Sequence, residues 1–163
     1  MTLNENLDFD SVDPTVRRAF VRRPEKVLLK PPLRLYKWTD RPLIGPYGVS
    51  PWWSFVESTR LPGGTVIEGF RVAEERARRL GNTHRQFARS RAAISDQFGN
   101  TMTRLLVMQL ASEAWGFVGQ ASGQPEFAKE HADLQNVVLI GGAQQVWIPN
   151  LTGRDVREIP TVA

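Results

Sequence analysis

Leu33-Arg34-Leu35-Tyr36-Lys37-Trp38 decides how the rest of the chain is read. Its strict alternation is that of a β-strand, with Leu33, Leu35 and Lys37 on one face and Arg34, Tyr36 and Trp38 on the other. The first face suits a core. The second carries a cation, a phenol and an indole, which suits recognition.

Upstream, Pro31-Pro32 and Pro24 punctuate the chain, and residues 27–29 have extended character. Asp13-Pro14 supplies a helix cap followed by proline at the first helical position, predicting a short helix through about Arg22. Val16, Phe20 and Val21 would dock on the core, while Arg17, Arg18, Arg22 and Arg23 face outward. Residues 1–32 therefore read as a lead-in with a short helix, and residues 33–163 as the main domain.

Downstream, residues 41–64 are dense in Pro, Gly and aromatics and read as an ordered loop region, because Tyr47, Trp52, Trp53 and Phe55 lose too much by staying in water. Phe70, Ala73, Ala77 and Leu80 then recur at helical spacing, with Glu74–Arg78 and Glu75–Arg79 as i,i+4 pairs, until Gly81 ends the helix. Thr83 opens a second helix with Phe87, Ile94 and Phe98 on one stripe. After Gly99-Asn100, Thr101 caps an expected third with Met102, Leu105, Leu106 and Gln109. Residues 115–120, 137–140 and 145–148 read as strands, and 152–157 as a last turn or short helix. The expected fold is a single α+β domain, with mostly antiparallel strands at both chain ends flanking a helical centre.

At 163 residues the chain is the size of one domain, and 41% hydrophobic with 23% charged residues is the composition of a folding chain, not a disordered one. No apolar run approaches the roughly 20 residues that span a bilayer. The polar, acidic start lacks the features of a secretory signal, so the expected location is cytoplasmic, or a target cell's cytoplasm after delivery by a specialised machine. With no cysteine there is no disulfide, thiol nucleophile or zinc ribbon. His84 and His131 are not at metal-ligand spacing and read as surface or core-edge residues.

The net charge of +4 favours anionic partners without choosing among them. Arg71, Arg76, Arg78, Arg79, Arg85, Arg89 and Arg91 crowd the helical centre, where Arg78, Arg79, Arg85 and Arg89 would meet a nucleic acid or acidic protein if these helices form a docking face. The paired glutamates favour a solvated face instead. Ser50-Pro51-Trp52-Trp53-Ser54 puts one indole on each side of an extended chain, so one ring fits a core and the other a pocket wall. Gly141-Gly142-Ala143-Gln144-Gln145-Val146-Trp147-Ile148-Pro149 lets backbone approach a ligand closely, though a hairpin turn explains the glycines equally well.

Together, Arg34-Leu35-Tyr36-Lys37, the aromatic Ser-Pro loop, the helical middle and the late Gly-Gly-x-Gln-Gln-Val-Trp-Ile-Pro stretch resemble bacterial ADP-ribosyltransferase-like toxin domains and their NAD-hydrolysing relatives, over about residues 33–159. The resemblance implies NAD as substrate. It assigns phosphate anchoring to Arg34, with Tyr36 as its neighbour in the NAD site and Lys37 as a second phosphate candidate, the nicotinamide pocket to Ser50 with Trp52, and the ribose to Gln145. A transferase of this kind carries a glutamate on the late strand. Gln144 and Gln145 stand there instead, which points to NAD hydrolysis or an atypical transfer, with Glu113 and Glu126 as alternative carboxylates. A toxin-type effector would have a protein target or an immunity partner. The alternatives are a non-enzymatic basic binding module and an assembly protein using Trp147 and the Pro/Gly-rich loops between subunits.

Overall fold

Alternation like that of residues 33–38 recurs through the molecule, and in several strands residues of both alternating sets are buried. The computed structural model describes residues 1–91, 104–122, 124–125, 138–139 and 143–162. Its main element is a seven-stranded sheet of β1 (Glu25–Leu29), β2 (Arg34–Thr39), β5 (Trp52–Phe55), β8 (Arg104–Leu110), β9 (Ala114–Gln120), β12 (Gln144–Trp147) and β13 (Val156–Ile159). The spatial order is β1-β9-β12-β5-β2-β8-β13, every neighbouring pair antiparallel. Two-residue ribbons pair β3 (Ile44–Gly45) with β4 (Gly48–Val49), β6 (Thr59–Arg60) with β7 (Val66–Ile67), and β10 (Gln124–Pro125) with β11 (Val138–Leu139). The helices are α1 (Pro14–Arg18), α2 (Phe70–Arg79) and α3 (His84–Arg91).

One face of the sheet holds the main core. Leu35, Trp53, Phe55, Leu106, Met108, Val118 and Val146 meet there, closed over by the loop residues Leu43, Leu61 and Leu151 and by Ile67 of β7. The intervening residues form two smaller clusters on the other face. Phe117, Trp147 and Trp52 pack under the N-terminal Phe9, Val12 and Phe20. Tyr36, Val56 and Val107 pack under Phe70 of α2. Burying apolar side chains on both sides is the main stabilising term of such a sheet, about 25 cal/mol per Å² removed from water.

The N-terminal segment is built into this arrangement. Trp115 N–H donates to Leu3 O at 2.9 Å, Asn4 Nδ2 donates to Trp115 O and Pro149 O at 3.1 and 2.8 Å, and Lys26 Nζ donates to Glu5 O and Leu7 O at 2.6 and 2.9 Å. The strand β1, read with the lead-in, pairs with β9 along its whole length.

Several expectations are corrected. Residues 104–110, expected within a third helix, form β8. Leu106 and Met108 lie in the main core and Val107 on the opposite face, so the apolar run is continuous because both faces are covered, not because of a helical stripe. The helical centre is thereby reduced to α2 and α3. The loop region 41–64 contains β5, a central strand, with Trp53 in the main core and Trp52 on the other side. Helix α1 stops at Arg18 rather than near Arg22, and residues 156–159 form β13 after a turn in which Thr152 N–H and Oγ1 donate to Asp155 Oδ2 at 2.8 and 2.9 Å. Ile94, Phe98, Gly99-Asn100, Thr101, Met102, Glu126, His131 and Gly141-Gly142 lie outside the described residues.

Candidate functional site

The site begins with the way α2 and α3 are seated. Gly69 opens α2, its N–H donating to Ser58 Oγ at 2.9 Å while Phe70 N–H donates to Val56 O at 2.8 Å, which ties the helix start to the end of β5. Phe70 and Ala77 are its buried residues. The turn through Gly81 (φ +73°) is a left-handed position that glycine takes without strain. Thr83 and Gln86 then form a capping box, Thr83 N–H donating to Gln86 Oε1 at 2.9 Å and Gln86 N–H to Thr83 Oγ1 at 3.2 Å. This box sets His84 against the sheet.

His84 is 8% exposed. Its ring stacks on Phe70 with centroids 4.0 Å apart, Trp38 Nε1 donates to its Nδ1 at 2.9 Å, and its Nε2 lies 3.4 Å from the Tyr36 hydroxyl. Burial lowers its pKa from 6.5 to about 4 despite the opposing charge of Glu74. Burial likewise pushes the Tyr36 phenol above its usual range, with Ser54 within hydrogen-bond reach acting against this.

Tyr36, Ser54 and His84 line a cleft of about 320 Å³, together with Glu68, Arg76 and Gln144 among others. That volume is at the lower end of small-molecule sites. Glu68 and Arg76 form an ion pair at the rim. Gln144 closes one end, accepting from Glu68 N–H at 3.2 Å and donating to Val66 O at 2.7 Å. A carboxylate, a guanidinium and a buried phenol thus meet in one concavity. Among the described residues, no group of three or more His, Asp or Glu side chains is placed to hold a metal ion, and no helix is long and apolar enough to cross a membrane.

Of the residues to which the family resemblance gives a role in binding or catalysis, only Tyr36 lines this cleft, joined by Gln144, the other glutamine of the late strand. Arg34, two residues earlier on β2, is paired with Glu57, its Nε donating at 2.7 Å. Gln145 donates to Ala19 O at 3.0 Å, on the side of β12 away from Gln144. Trp52 packs against Phe20 and Trp147, with centroids 5.6 and 6.2 Å away. Lys37 and Ser50 do meet, Lys37 Nζ donating to Ser50 Oγ at 2.6 Å, but beside Trp53. Glu113 is exposed and does not line the cleft. Glu68, Arg76, Ser54, His84 and Gln144 come from four separate segments, so no local spacing announced them.

Three of the four arginines of α2 are paired within the helix, Arg71 with Glu74, and Arg78 and Arg79 with Glu75, while Arg76 reaches back to Glu68. Such exposed pairs contribute about 0.2–1 kcal/mol each and describe a solvated face better than a phosphate track. Arg85 is exposed. The side chain of Arg89 lies outside the described residues.

Lys37 offers a direct test of this geometry. Burial, and then the neighbouring charge of Arg41, lower its pKa from 10.5 to about 8. The unfolded chain therefore binds a proton more readily between these values, and stability is expected to rise as pH climbs from about 8 to 10.5. Thermal unfolding of the wild type should show this gain and Lys37→Met should lack it; equal slopes would mean that Lys37 is well solvated.

No protein-family model, curated protein or solved structure matches this chain.

Proposed function

We propose that this cleft breaks the nicotinamide–ribose bond of NAD, passing the ADP-ribosyl group to water or to a nucleophile on a target. The observation that carries the reading is the convergence of Glu68, Arg76 and Tyr36 in one cleft. The reaction develops positive charge on the ribose, so it needs a carboxylate beside the sugar, a cation for the diphosphate and a pocket for the departing ring. Glu68 supplies the carboxylate that the late strand lacks. Arg76 is placed to exchange part of its pairing with Glu68 for phosphate oxygens. The C1′–N1 bond breaks with its electron pair going to the nicotinamide nitrogen. The acceptor oxygen bonds C1′, and its proton is released to solvent. In hydrolysis the acceptor is water, and the products are nicotinamide, ADP-ribose and a proton.

Nicotinamide release from NAD by purified protein tests this. Glu68→Gln is expected to lower turnover by about 100-fold or more, with the thermal midpoint little changed because the pair is at the rim. Arg34→Ala and Gln145→Ala, the changes that the family resemblance singles out, alter residues outside the cleft lining and should leave turnover within about threefold. Loss of activity in Gln145→Ala but not in Glu68→Gln would move the site to the other side of β12. No nicotinamide release by the wild type would end the reading.

A further inference from the structure

We infer that the Tyr36 hydroxyl is a fixed hydrogen-bond donor at the floor of the cleft, oriented by His84 and Trp38, and that it selects a planar ring bearing a carbonyl acceptor, such as an aromatic carboxamide. The identity of the ring as nicotinamide rests on the function proposed above; the orientation of the donor does not.

The orientation follows from which groups can donate. An indole N–H donates and never accepts. Trp38 Nε1 lies 2.9 Å from His84 Nδ1, so Nδ1 is the acceptor and carries no proton. A neutral imidazole then has its proton on Nε2, which faces the Tyr36 oxygen at 3.4 Å. The phenol therefore accepts from His84, and its single proton must point elsewhere. The Ser54 hydroxyl, whose hydrogen bond lowers the phenol's pKa, donates to the same oxygen, so the remaining direction for the phenol proton is the cleft.

The ring system is packed so that it cannot readily turn. Phe70 stacks on His84 and stands edge-on to Tyr36, with centroids 5.0 Å apart and planes at 83°. A flipped His84 would set Cδ2–H, which cannot accept, against the indole N–H, and Cε1–H against the phenol. His84 is thus a positioning residue, and Tyr36 the group that reads the ligand. A neighbouring side-chain amide does not compete for the acceptor, because both ends of Gln144 are held by Glu68 N–H and Val66 O.

Two measurements on the full chain test the inference. Nitrogen-15 NMR of the His84 ring is expected to show the Nε2–H tautomer at pH 7, and an Nδ1–H tautomer overturns it. Titration with nicotinamide, benzamide and pyridine is expected to show both amides binding about tenfold or more tighter than pyridine, a preference that Tyr36→Phe abolishes. His84→Gln, which keeps a donor near the Nε2 position, should retain the preference, while His84→Leu should lose it with the fold intact by circular dichroism. A preference that survives Tyr36→Phe, or no binding of either amide, overturns the inference. Amide preference without NAD cleavage would refute the proposed reaction and leave this inference standing.

Discussion

Unfolding free energy should fall by about 3 kcal/mol more in the wild type than in His84→Gln as pH is lowered from 6.5 to 4. The cause is the burial that holds the folded His84 pKa near 4 while the unfolded side chain titrates at 6.5. Below 6.5 the unfolded chain takes up a proton that the folded protein refuses, so the stability attached to the neutral ring is fully present above 6.5 and is lost by about pH 4. The groups facing the ring are Tyr36 and Trp38 from β2 and Phe70 and Glu74 from α2, and among these only Glu74 favours the charged form. Asp13 and Asp155 also have lowered pKa values and lose stability in acid, equally in both proteins. Chemical denaturation at several pH values therefore isolates His84 as the difference between the two curves. Parallel curves would show that the ring is solvated in the folded protein.

Gly69→Ala is expected to cost about 3 kcal/mol or more, lowering the thermal midpoint by roughly 6–12 °C and reducing ligand binding in the cleft. A Cβ on Gly69 would lie 2.4 Å from Val56 O, 2.5 Å from Ser58 N and 2.7 Å from Glu57 C, all backbone atoms of the segment that leaves β5. None of them can swing aside as a side-chain end can. Relief requires α2 to move off the sheet, carrying Phe70 and Arg76 with it. Gly64→Ala is the control. Gly64 has φ +95° with open space around it, so its substitution strains only the local backbone, at a cost of about 1 kcal/mol. Equal losses in the two variants would show that α2 is not seated on Gly69.

What the sequence made legible were the elements whose pattern is local. The alternation at 34–38, the extended run before Pro31-Pro32, the late strands 114–120 and 144–147, the Asp13-Pro14 cap and the stripe of α2 all have their cause within a few residues. Strand β8 was not legible, because Leu105, Leu106, Val107 and Met108 are apolar without a period. Only the clusters on both sides of the sheet reveal why. Strand β5 hid among prolines and glycines, although the two indoles do point to opposite sides. The cleft was the least legible part. His84 looked like an incidental histidine until the chain brought Trp38, Tyr36 and Phe70 around it, and Glu68 lies ahead of a helix where any polar residue would pass without notice.

The position of β12 shapes how the chain acquires its structure. It lies between β9 and β5, joining β1-β9 on one side to β5-β2-β8-β13 on the other. Its residues, 144–147, follow all of those partners in sequence except β13. A ribosome making this protein has already released the partners of the central strand before the strand itself appears, so until about residue 147 emerges the nascent chain exposes two open edges where the finished sheet has none. Helices α2 and α3 can form earlier, but the sheet that supports His84 and Tyr36 cannot close. The cleft is therefore a late product of synthesis, and the protein should be inert, easily digested and receptive to holding chaperones until then.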